Sequence, residues 1–335
     1  MTYAYTDLFD YSGYVQTVLR DVFGWSTTRD YWFPEIRSLG GAIGLMGLVL
    51  YPYVYLLARS AFLEQSVNIL EVSRVLGRGP WRTFFTVSVP GARPAISVGL
   101  ALALMETLND YGTVDFFAVP TMTAGIIDVW LGMGSLVGGS QIAALMLLFV
   151  VLLISLEHFS RRRRRYYQQT SSRFRPLPNY PLGGTRAVFA ILVCGVPVLA
   201  GFILPAIVLA RLSAQYFSRS WTPHFQELAI NSLWLSSTAA VAAVAIALFV
   251  SYSRRLRGGP LLVFATRIAS LGYAVPGAVL AVGILIPFAA FDNVLDTFLR
   301  HQFGISSGLL LSGTVIAVLF AYIVRFLTVA VGQIG

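Results

Sequence analysis

The sequence predicts an all-α, polytopic transmembrane protein, and three observations carry this prediction. Of its 335 residues, 56% are hydrophobic and only 12% are charged, which is about half the charged fraction of a typical soluble domain. The mean hydropathy is +0.72. Apolar runs of about 20 residues recur along the chain, and each is long enough to cross a hydrocarbon core of about 30 Å. These runs are continuous and do not alternate apolar with polar residues, so a β-barrel is excluded.

The apolar runs predict seven membrane spans. They cover residues 39–58, 93–111, 138–158, 187–210, 228–252, 263–290 and 308–327. Arginine is concentrated in the segments that follow the first, third and fifth of these spans. The positive-inside rule therefore places those segments in the cytoplasm. The run RRRRR at 161–165 is then a topology anchor, and the net charge of +9 reflects membrane orientation and indicates no nucleic-acid partner.

Several kinds of chemistry are excluded by what the sequence lacks. The single cysteine, Cys194, permits no disulfide framework. His158, His224 and His301 are scattered, so no cluster has metal-ligand spacing. There is no Walker A sequence, so the chain binds no ATP through a P-loop of its own. The first 38 residues have no basic start and apolar core, so a cleavable signal peptide is not expected.

Residues 1–38 precede the first span and are expected on the outer side of the membrane. Their apolar residues recur at helical spacing, which predicts one amphipathic helix lying at the outer interface with its tyrosines at headgroup level. The predicted apolar face consists of Leu8, Tyr11, Val15, Val18, Leu19 and Val22.

A weak internal repeat divides the chain into two related halves. Residues 44–65 align with residues 313–334, and both segments are spans that enter the cytoplasm. At this offset the counterpart of Glu71 would fall at about position 340. We therefore expect the chain to be part of a longer protein.

The segment EVSRVLGRGPWRTFFTVSVP at 71–90 carries the most specific pattern. It reads Glu71-Val72-Ser73, three residues, Gly77, nine residues, and then Val87-Ser88-Val89-Pro90. This resembles a cytoplasmic loop of the inner-membrane permeases of bacterial ABC importers, whose motif is Glu-Ala-Ala, three residues, Gly, nine residues, and an Ile-x-Leu-Pro-like end. The spacing matches throughout, and the substitutions keep size or hydrophobicity.

The residues of this segment also suit a docking role on physical grounds. A helix over 60–76 is expected to end at a turn that Gly77 and Gly79 permit, and Pro80 fits the first turn of a second short helix. Aromatic and arginine side chains on such a helix are typical of interface hot spots. The alternative is an amphipathic loop resting on lipid headgroups. The predicted coupling residues are Glu71, Gly77, Arg78, Trp81, Arg82, Phe84, Phe85 and Pro90.

Two further segments, 92–117 and 270–283, resemble the ferric-iron importer permeases, in which two six-span halves are fused in one chain. The resemblance implies a type I ABC importer permease fold in the bacterial inner membrane. It also implies a periplasmic binding protein that delivers ferric iron, and a cytoplasmic ATPase in two copies that carries ATP and Mg. This chain would itself bind no cofactor and catalyse no reaction.

This reading gives the chain a simple organisation. Residues 1–38 form the periplasmic segment, and 39–158 form the end of the first permease half, with the coupling loop at 59–92. An arginine-rich cytoplasmic linker follows at 159–186, and the second half begins at 187–335.

A substrate path is expected near two groups of residues in the spans. Glu106 and Asp110 lie four apart on one helix, and ionised carboxylates in a membrane should face a cavity or a partner. Oxygen ligands suit hard cations. The alternative roles are pairing with a neighbouring helix for Glu106 and helix capping for Asp110. Pro276 and Gly277 should break a span, either beside the path or as a packing kink. The candidate path residues are Glu106, Asn109, Asp110, Tyr111, Tyr273, Pro276 and Gly277.

Other functions remain open at this point. Within ABC importers, thiamine or polyamine could replace iron, because the coupling motif does not report the substrate. A secondary transporter or channel would need a coupling-ion site at the midplane, where only Glu106 and Arg267 are candidate charges. A membrane anchor or assembly scaffold is the third class.

Overall fold

The computed structural model describes residues 1–162, 181–256 and 272–334, together with Gly259, Phe264 and Thr266. All regular structure in these residues is helical. The helices are α1 (Thr2–Phe9), α2 (Tyr14–Phe23), α3 (Leu39–Leu63), α4 (Val67–Val75), α5 (Pro80–Thr83), α6 (Val89–Asn109), α7 (Gly112–Phe116), α8 (Met122–Ile127), α9 (Leu136–Arg162), α10 (Thr185–Val198), α11 (Leu204–Ser220), α12 (Pro223–Leu256), α13 (Gly277–Phe303) and α14 (Val315–Ile334).

Three π-helical turns and one 3₁₀ turn join some of these helices. The π turns are Phe84–Ser88 between α5 and α6, Asp128–Gly132 after α8, and Leu199–Ile203 between α10 and α11. The 3₁₀ turn is Gly272–Ala274, just before α13.

Seven helical stretches are long and apolar enough to cross a membrane, which confirms the predicted all-α polytopic class. They are Leu39–Leu63, Pro80–Asn109, Leu136–Ser155, Thr185–Ser220, Pro223–Ser253, Gly277–Phe303 and Val315–Gly332. Most of the predicted linker at 159–186, with part of its RRRRR run, lies outside the described residues, and so does Arg267.

The sixth predicted span contains a helix that begins at Gly277. Pro276 is the residue before α13 and has φ −53° and ψ 144°, so the helix starts at Gly277 and runs to Phe303. The expected break at Pro276 is present, and most of the predicted part of the span at 263–271 lies outside the described residues. The helix extends past residue 290, where the sequence placed the end of the span, so Asp292 and Asp296 lie inside α13. Both carboxylates accept hydrogen bonds from residues 306–312.

The amino-terminal segment forms two helices, so the expectation of a single amphipathic helix is wrong. α1 ends at Phe9, Asp10 has an extended backbone, and Gly13 precedes α2. A Cβ on Gly13 would lie 2.6 Å from the Leu8 carbonyl oxygen, so only glycine allows this tight connection. The buried Gln16 side chain stabilises it by donating to the Phe9 carbonyl oxygen over 2.8 Å.

Two compact units are distinguished by their internal contacts, and the first comprises Met1–Pro120 and Leu152–Gln215. In this unit α3 packs closely against α6. A Cβ on Gly99 would lie 2.7 Å from the Val54 Cα atom, so the two backbones are in direct contact there. Gly201 makes a similar approach to the Leu48 carbonyl oxygen. Small residues at such positions are typical of helix packing in membranes.

The second unit comprises Thr121–Val151 and Tyr216–Gly335. Here α12 packs against α14, and its buried residues Ala239, Ala243 and Ala247 recur every fourth position on one helix face. Gly272 of the 3₁₀ turn lies against the backbone of Val324. The Tyr273 amide also donates to the Thr328 hydroxyl over 3.2 Å. This contact fixes the start of α13 beside α14.

Candidate functional site

The predicted coupling loop begins with a helix that ends in a left-handed glycine. α4 closes with hydrogen bonds from the Gly77 amide to the Arg74 carbonyl oxygen (2.8 Å) and from the Arg78 amide to the Ser73 carbonyl oxygen (3.1 Å). Gly77 has φ +74°, a conformation that costs other residues about 1–2 kcal/mol. This is the usual way a helix ends on glycine. The turn that the sequence placed at Gly77 is therefore present.

The second short helix of the loop continues directly into a membrane span. Pro80 is the first residue of α5, as expected, and the π turn Phe84–Ser88 joins α5 to α6. The Val89 amide bonds the Phe84 carbonyl oxygen five residues back, just before Pro90, whose ring removes a donor. Pro80–Asn109 is thus one helical stretch of 30 residues, and Pro90 does not interrupt it.

Polar side chains join the two arms of the loop. The hydroxyl oxygens of Ser73 on α4 and Thr83 on α5 lie 2.9 Å apart, and both residues are 5% exposed. The Gln65 amide nitrogen donates to the Ser88 carbonyl oxygen over 2.7 Å, and Arg78 donates to the Thr86 hydroxyl over 3.1 Å. Because the Ser73–Thr83 and Gln65–Ser88 bonds cross the Gly77 turn, the arms form one ordered unit.

The aromatic residues of the loop pack together yet stay accessible. Trp81 and Phe85 stack with ring centroids 6.3 Å apart, and Phe84 meets Phe85 edge-on at 5.1 Å. Phe84 also stacks on Phe62 of α3, at 5.9 Å. Trp81 is nevertheless 74% exposed and Phe85 63% exposed. We call Val75, Leu76, Trp81 and Phe85 the loop surface; all four are exposed apolar side chains around the turn.

The other predicted coupling residues lie in the same loop. Glu71 is exposed on α4, and Arg78 and Arg82 are exposed beside Trp81. Pro90 is half-buried at the beginning of α6. The structure therefore brings the predicted coupling residues together in one loop with an apolar centre and charged surroundings, as in protein interfaces.

The first group of predicted path residues lies where α6 ends. Glu106 and Asn109 are half-buried in the last turns of α6, and Tyr111 follows the helix. Asp110 is the residue after α6, and its carboxylate accepts a hydrogen bond from the Thr113 amide over 3.0 Å. That bond caps the amino terminus of α7. Asp110 therefore has the capping contact that the sequence left as its alternative role.

The second group of predicted path residues is Tyr273, Pro276 and Gly277, and Gly277 lines a cavity in the second unit. This cavity has a volume of about 610 Å³ and lies between α13 and α14, with Gly277, Leu280, Ser312, Thr314, Tyr322 and Arg325 among its lining residues. The Arg325 guanidinium carbon is 6.0 Å from the centroid of the Tyr273 ring. Of the predicted path residues, Gly277 lines this cavity and Tyr273 lies beside its lining residue Arg325, while Pro276 is buried just before α13.

Arg325 was missed in the sequence reasoning. It lies about 15 Å along α14 at about 1.5 Å per residue, close to the middle of a bilayer. An arginine at that depth costs about 2.5–3.5 kcal/mol on insertion scales, and such residues mark functional sites by default. The signal was available, because Arg325 is the single charged residue in the apolar run 313–334.

Beyond α13, two carboxylates hold the loop that leads into α14. Asp292 is 1% exposed and accepts hydrogen bonds from the Leu311 amide (3.1 Å) and from the Ser312 amide and hydroxyl (both 2.8 Å). Asp296 accepts from the Ser306 hydroxyl at 2.7 Å and pairs with Arg300 at 2.7 Å. Both carboxylates are therefore structural, and sequence reasoning gave them no role beyond orientation.

In the described part of the chain, no group of three or more His, Cys, Asp and Glu side chains could hold a metal ion.

Comparison with known proteins identifies the class of this fold. Residues 25–165 match the family model described as "Binding-protein-dependent transport system inner membrane component". This range contains the whole coupling loop and the first three spans. Together with the seven apolar helices, the match supports a multi-pass helical protein of the inner membrane, and the matched family has the type I ABC permease fold.

Individual relatives share shorter stretches. The chain is 32% identical over 109 residues to the molybdenum transport system permease protein ModB of Escherichia coli K12, covering 32% of this chain and 48% of the relative. It is 32% identical over 92 residues to the molybdate/tungstate transport system permease protein WtpB of Pyrococcus abyssi, covering 28% of this chain and 37% of the relative.

One relative is named as a ferric-iron permease, the family that the sequence resemblance suggested. It is the Fe(3+)-transport system permease protein FbpB 2 of Haemophilus influenzae, 29% identical over 92 residues, covering 28% of this chain and 18% of the relative. The chain thus spans about half the length, or less, of the curated relatives it matches. No solved structure matches it significantly. These matches support placing residues 25–165 in the binding-protein-dependent permease family.

Proposed function

We propose that this chain is the membrane-spanning permease subunit of an ABC importer. It receives substrate from a periplasmic binding protein and is driven by a separate cytoplasmic ATPase. The observation that carries the proposal is the loop surface: exposed aromatic side chains on a rigid turn, continuous with a membrane span, at the position of the family motif. The chain contributes no catalytic group, and ATP and Mg belong to the ATPase, expected in two copies.

The geometry suggests how hydrolysis would act on the membrane. An ATPase groove that holds Trp81 and Phe85 would bury apolar rings, which are frequent hot spots of protein interfaces. The bond between Ser73 and Thr83 makes both arms of the loop follow the partner. Since α5 continues into α6, movement of the ATPase would be passed to the span without an intervening hinge.

Two substrate classes enter this proposal. Ferric iron follows from the sequence resemblance and from the H. influenzae relative, and oxygen ligands such as those of Glu106 and Asp110 would suit it. Molybdate or tungstate follows from the names of the E. coli and P. abyssi relatives. A tetrahedral oxyanion would need a positive group or hydrogen-bond donors on its path. The two classes thus require opposite charges in the membrane.

The proposed function is tested by ATPase co-purification. The chain would be co-expressed with the ATPase encoded beside its gene, extracted in mild detergent and isolated through an affinity tag. We expect the ATPase to co-purify with the wild-type chain. Removal of a hot-spot side chain costs about 2 kcal/mol or more, so Trp81→Ala should lower ATPase affinity roughly 30-fold.

The matched control is Trp32→Ala. Trp32 is 86% exposed and lies in the amino-terminal segment, on the side expected to face away from the ATPase. Equal ATPase recovery with Trp81→Ala and with the wild-type chain would contradict docking on the loop surface. Failure of the wild-type chain itself to retain any ATPase would contradict the permease function.

A further inference from the structure

Arg325 is a half-buried cation whose Nε atom has unused hydrogen-bonding capacity. Its Nε atom is buried and has no hydrogen-bond partner among the described residues. Its guanidinium carbon lies 6.0 Å from the Tyr273 ring centroid and 5.8 Å from that of Phe326. Aromatic contacts at this distance attract a cation, but they accept none of its N–H groups as carboxylates or carbonyls do. Buried polar groups are normally hydrogen-bonded, so the buried Nε of Arg325 is set up for an acceptor that the described residues do not provide.

The cavity beside Arg325 is suited to hold that acceptor. Its volume of about 610 Å³ falls within the roughly 300–1,000 Å³ of ligand pockets. Its walls are mainly apolar, and its other polar side chains are the hydroxyls of Ser312, Thr314 and Tyr322. The Ser312 hydroxyl already donates to Asp292 and the Thr314 hydroxyl to the Leu310 carbonyl oxygen, so the remaining side-chain donors of the lining are the Arg325 guanidinium and the Tyr322 hydroxyl. The cavity thus presents donors and positive charge to whatever enters it.

No carboxylate among the described lining residues opposes this charge. Asp292 is an acidic residue next to the cavity, because it accepts a hydrogen bond from the Ser312 hydroxyl on the cavity wall. Its oxygens also accept from the Leu311 and Ser312 amides, and the residue is 1% exposed. Asp296 is occupied by Ser306, Ser307 and Arg300. Both acids are held by their own donors and neither is among the described lining residues, so Arg325 is the charged side chain of that lining.

We propose that the cavity between α13 and α14 is an oxyanion-binding site centred on Arg325. The proposal rests on the proposed function, for which it supplies the substrate class: a small tetrahedral oxyanion passing through the membrane. A single cation with apolar walls binds such an anion weakly, and weak binding lets a transported ion leave again. A bare ferric ion is repelled by the same charge, so the cavity selects against the cation that the sequence resemblance implied.

Phosphate-type oxygens could also come from a phospholipid headgroup, because the site lies in a membrane helix pair. The experiment therefore has two arms on the purified full chain in phosphate-free detergent. The first is equilibrium dialysis against radiolabelled molybdate at constant ionic strength, with unlabelled sulfate as competitor. The second is phosphorus analysis of the same preparations, which detects retained phospholipid.

Three variants and one control separate the effects of the Arg325 charge, of the cavity shape and of arginine removal in general. Arg325→Gln removes the charge and should weaken molybdate binding about tenfold or more, as expected for a charge-assisted bond. Arg325→Lys keeps the charge and should restore most of the binding. Ala281→Trp fills the cavity that Ala281 lines and should abolish binding with Arg325 intact. Arg219→Gln, at an exposed arginine on α11, should leave binding unchanged.

The outcomes decide both the site and its occupant. Molybdate binding that depends on Arg325 and is competed by sulfate supports a transported oxyanion. Phospholipid retained by the wild-type chain and lost from Arg325→Gln supports the oxyanion site with a lipid as occupant. Binding that is absent in both arms, or equally affected by Arg219→Gln, overturns the proposal. ATPase co-purification is measured separately. The oxyanion site can therefore be contradicted while the permease function is supported, and the permease function can be contradicted while the site is supported.

Discussion

The hydroxyl groups of Ser73 and Thr83 meet at 2.9 Å in an otherwise exposed loop, and both residues are buried. They join α4 to α5 across the Gly77 turn, so the loop surface rests on a polar contact beneath it. A partner that binds Trp81 and Phe85 therefore binds a preorganised surface, which lowers the ordering cost of association.

Removing one of these hydroxyls should loosen the loop. Ser73→Ala leaves the Thr83 hydroxyl buried without its partner, which costs about 1–3 kcal/mol. We expect faster amide hydrogen exchange over residues 67–88 and weaker ATPase retention, with the spans unaffected. The double variant Ser73→Ala/Thr83→Val should exchange more slowly than the single variant, because no polar group is then stranded. Additive effects of the two substitutions would contradict a direct bond.

Gly77 and Gly79 form a matched pair for testing the turn. A Cβ would meet nothing within 4 Å at either position, but Gly77 has φ +74° and Gly79 has φ −65°. Gly77→Ala should therefore destabilise the loop by about 1–2 kcal/mol through backbone strain, whereas Gly79→Ala should have a smaller effect. ATPase affinity and hydrogen exchange would measure both. Equal losses in the two variants would show that backbone strain is not the cause.

Close packing of α3 and α6 depends on Gly99. A Cβ there would lie 2.7 Å from the Val54 Cα atom, and backbone cannot move aside as a flexible side chain does. Gly99→Val should force the helices apart at a cost of about 1–3 kcal/mol, seen as a lower thermal unfolding temperature in detergent. Gly44→Ala, where a Cβ meets nothing within 4 Å, is the control. An unchanged unfolding temperature for Gly99→Val would be incompatible with this packing.

The loop at 304–314 should depend on Asp292 more than on Asp296. The Asp292 carboxylate accepts hydrogen bonds from the Leu311 and Ser312 amides. Asp292→Asn replaces one of its two accepting oxygens by an NH₂ group, which can only donate. The loss should be about 1.5–3 kcal/mol, as for bonds to charged groups. Protease sensitivity of residues 304–314 would measure it. Asp296→Asn should have the smaller effect, since this side chain is partly exposed.

Acid should release the outer loop at Asp30. The backbone amide of Thr27 donates to this carboxylate over 2.7 Å, and the amide of Ser26 over 2.9 Å. These bonds lower the pKa of Asp30 below its ordinary value of 3.8. Because the folded pKa is the lower one, the loop stability is fully present above pH 3.8 and is lost as the pH falls through the folded pKa.

The readout of that titration is Trp25, whose ring stacks on Tyr31 with centroids 4.9 Å apart next to Asp30. Wild-type fluorescence should change in a step below pH 3.8. Asp30→Asn should lack this step. A step that persists in Asp30→Asn would assign the change to another group.

Sequence reasoning predicted the spans well because hydrophobicity and length determine them. It also placed the Gly77 turn and the Trp81 helix, since glycine and proline have local conformational preferences. It failed where a residue's role depends on distant partners. Local hydropathy indicates that Asp292 is a loop residue. Its burial depends on hydrogen bonds from Leu311 and Ser312, which lie in a later segment of the chain. Residue preferences also do not indicate the π turn Phe84–Ser88 just before Pro90.

The same limits apply to the candidate sites. The coupling loop was recognisable because its motif is contiguous. The cavity is formed by α13 and α14 together, so Tyr273 and Gly277 could be suspected singly but not connected to Arg325. Arg325 was overlooked because the search looked for pairs of opposite charges, whereas its contacts are two aromatic rings.

The uninterrupted helix from Pro80 to Asn109 makes α5 and α6 a lever about 45 Å long. At one end stands Trp81, and at the other Asn109 and the cap formed by Asp110. A rigid lever converts a small displacement at one end into a tilt of its whole length. A force applied at the Trp81 end would thus reach the Asn109 end through the helix axis, without a relay of side-chain rearrangements in between.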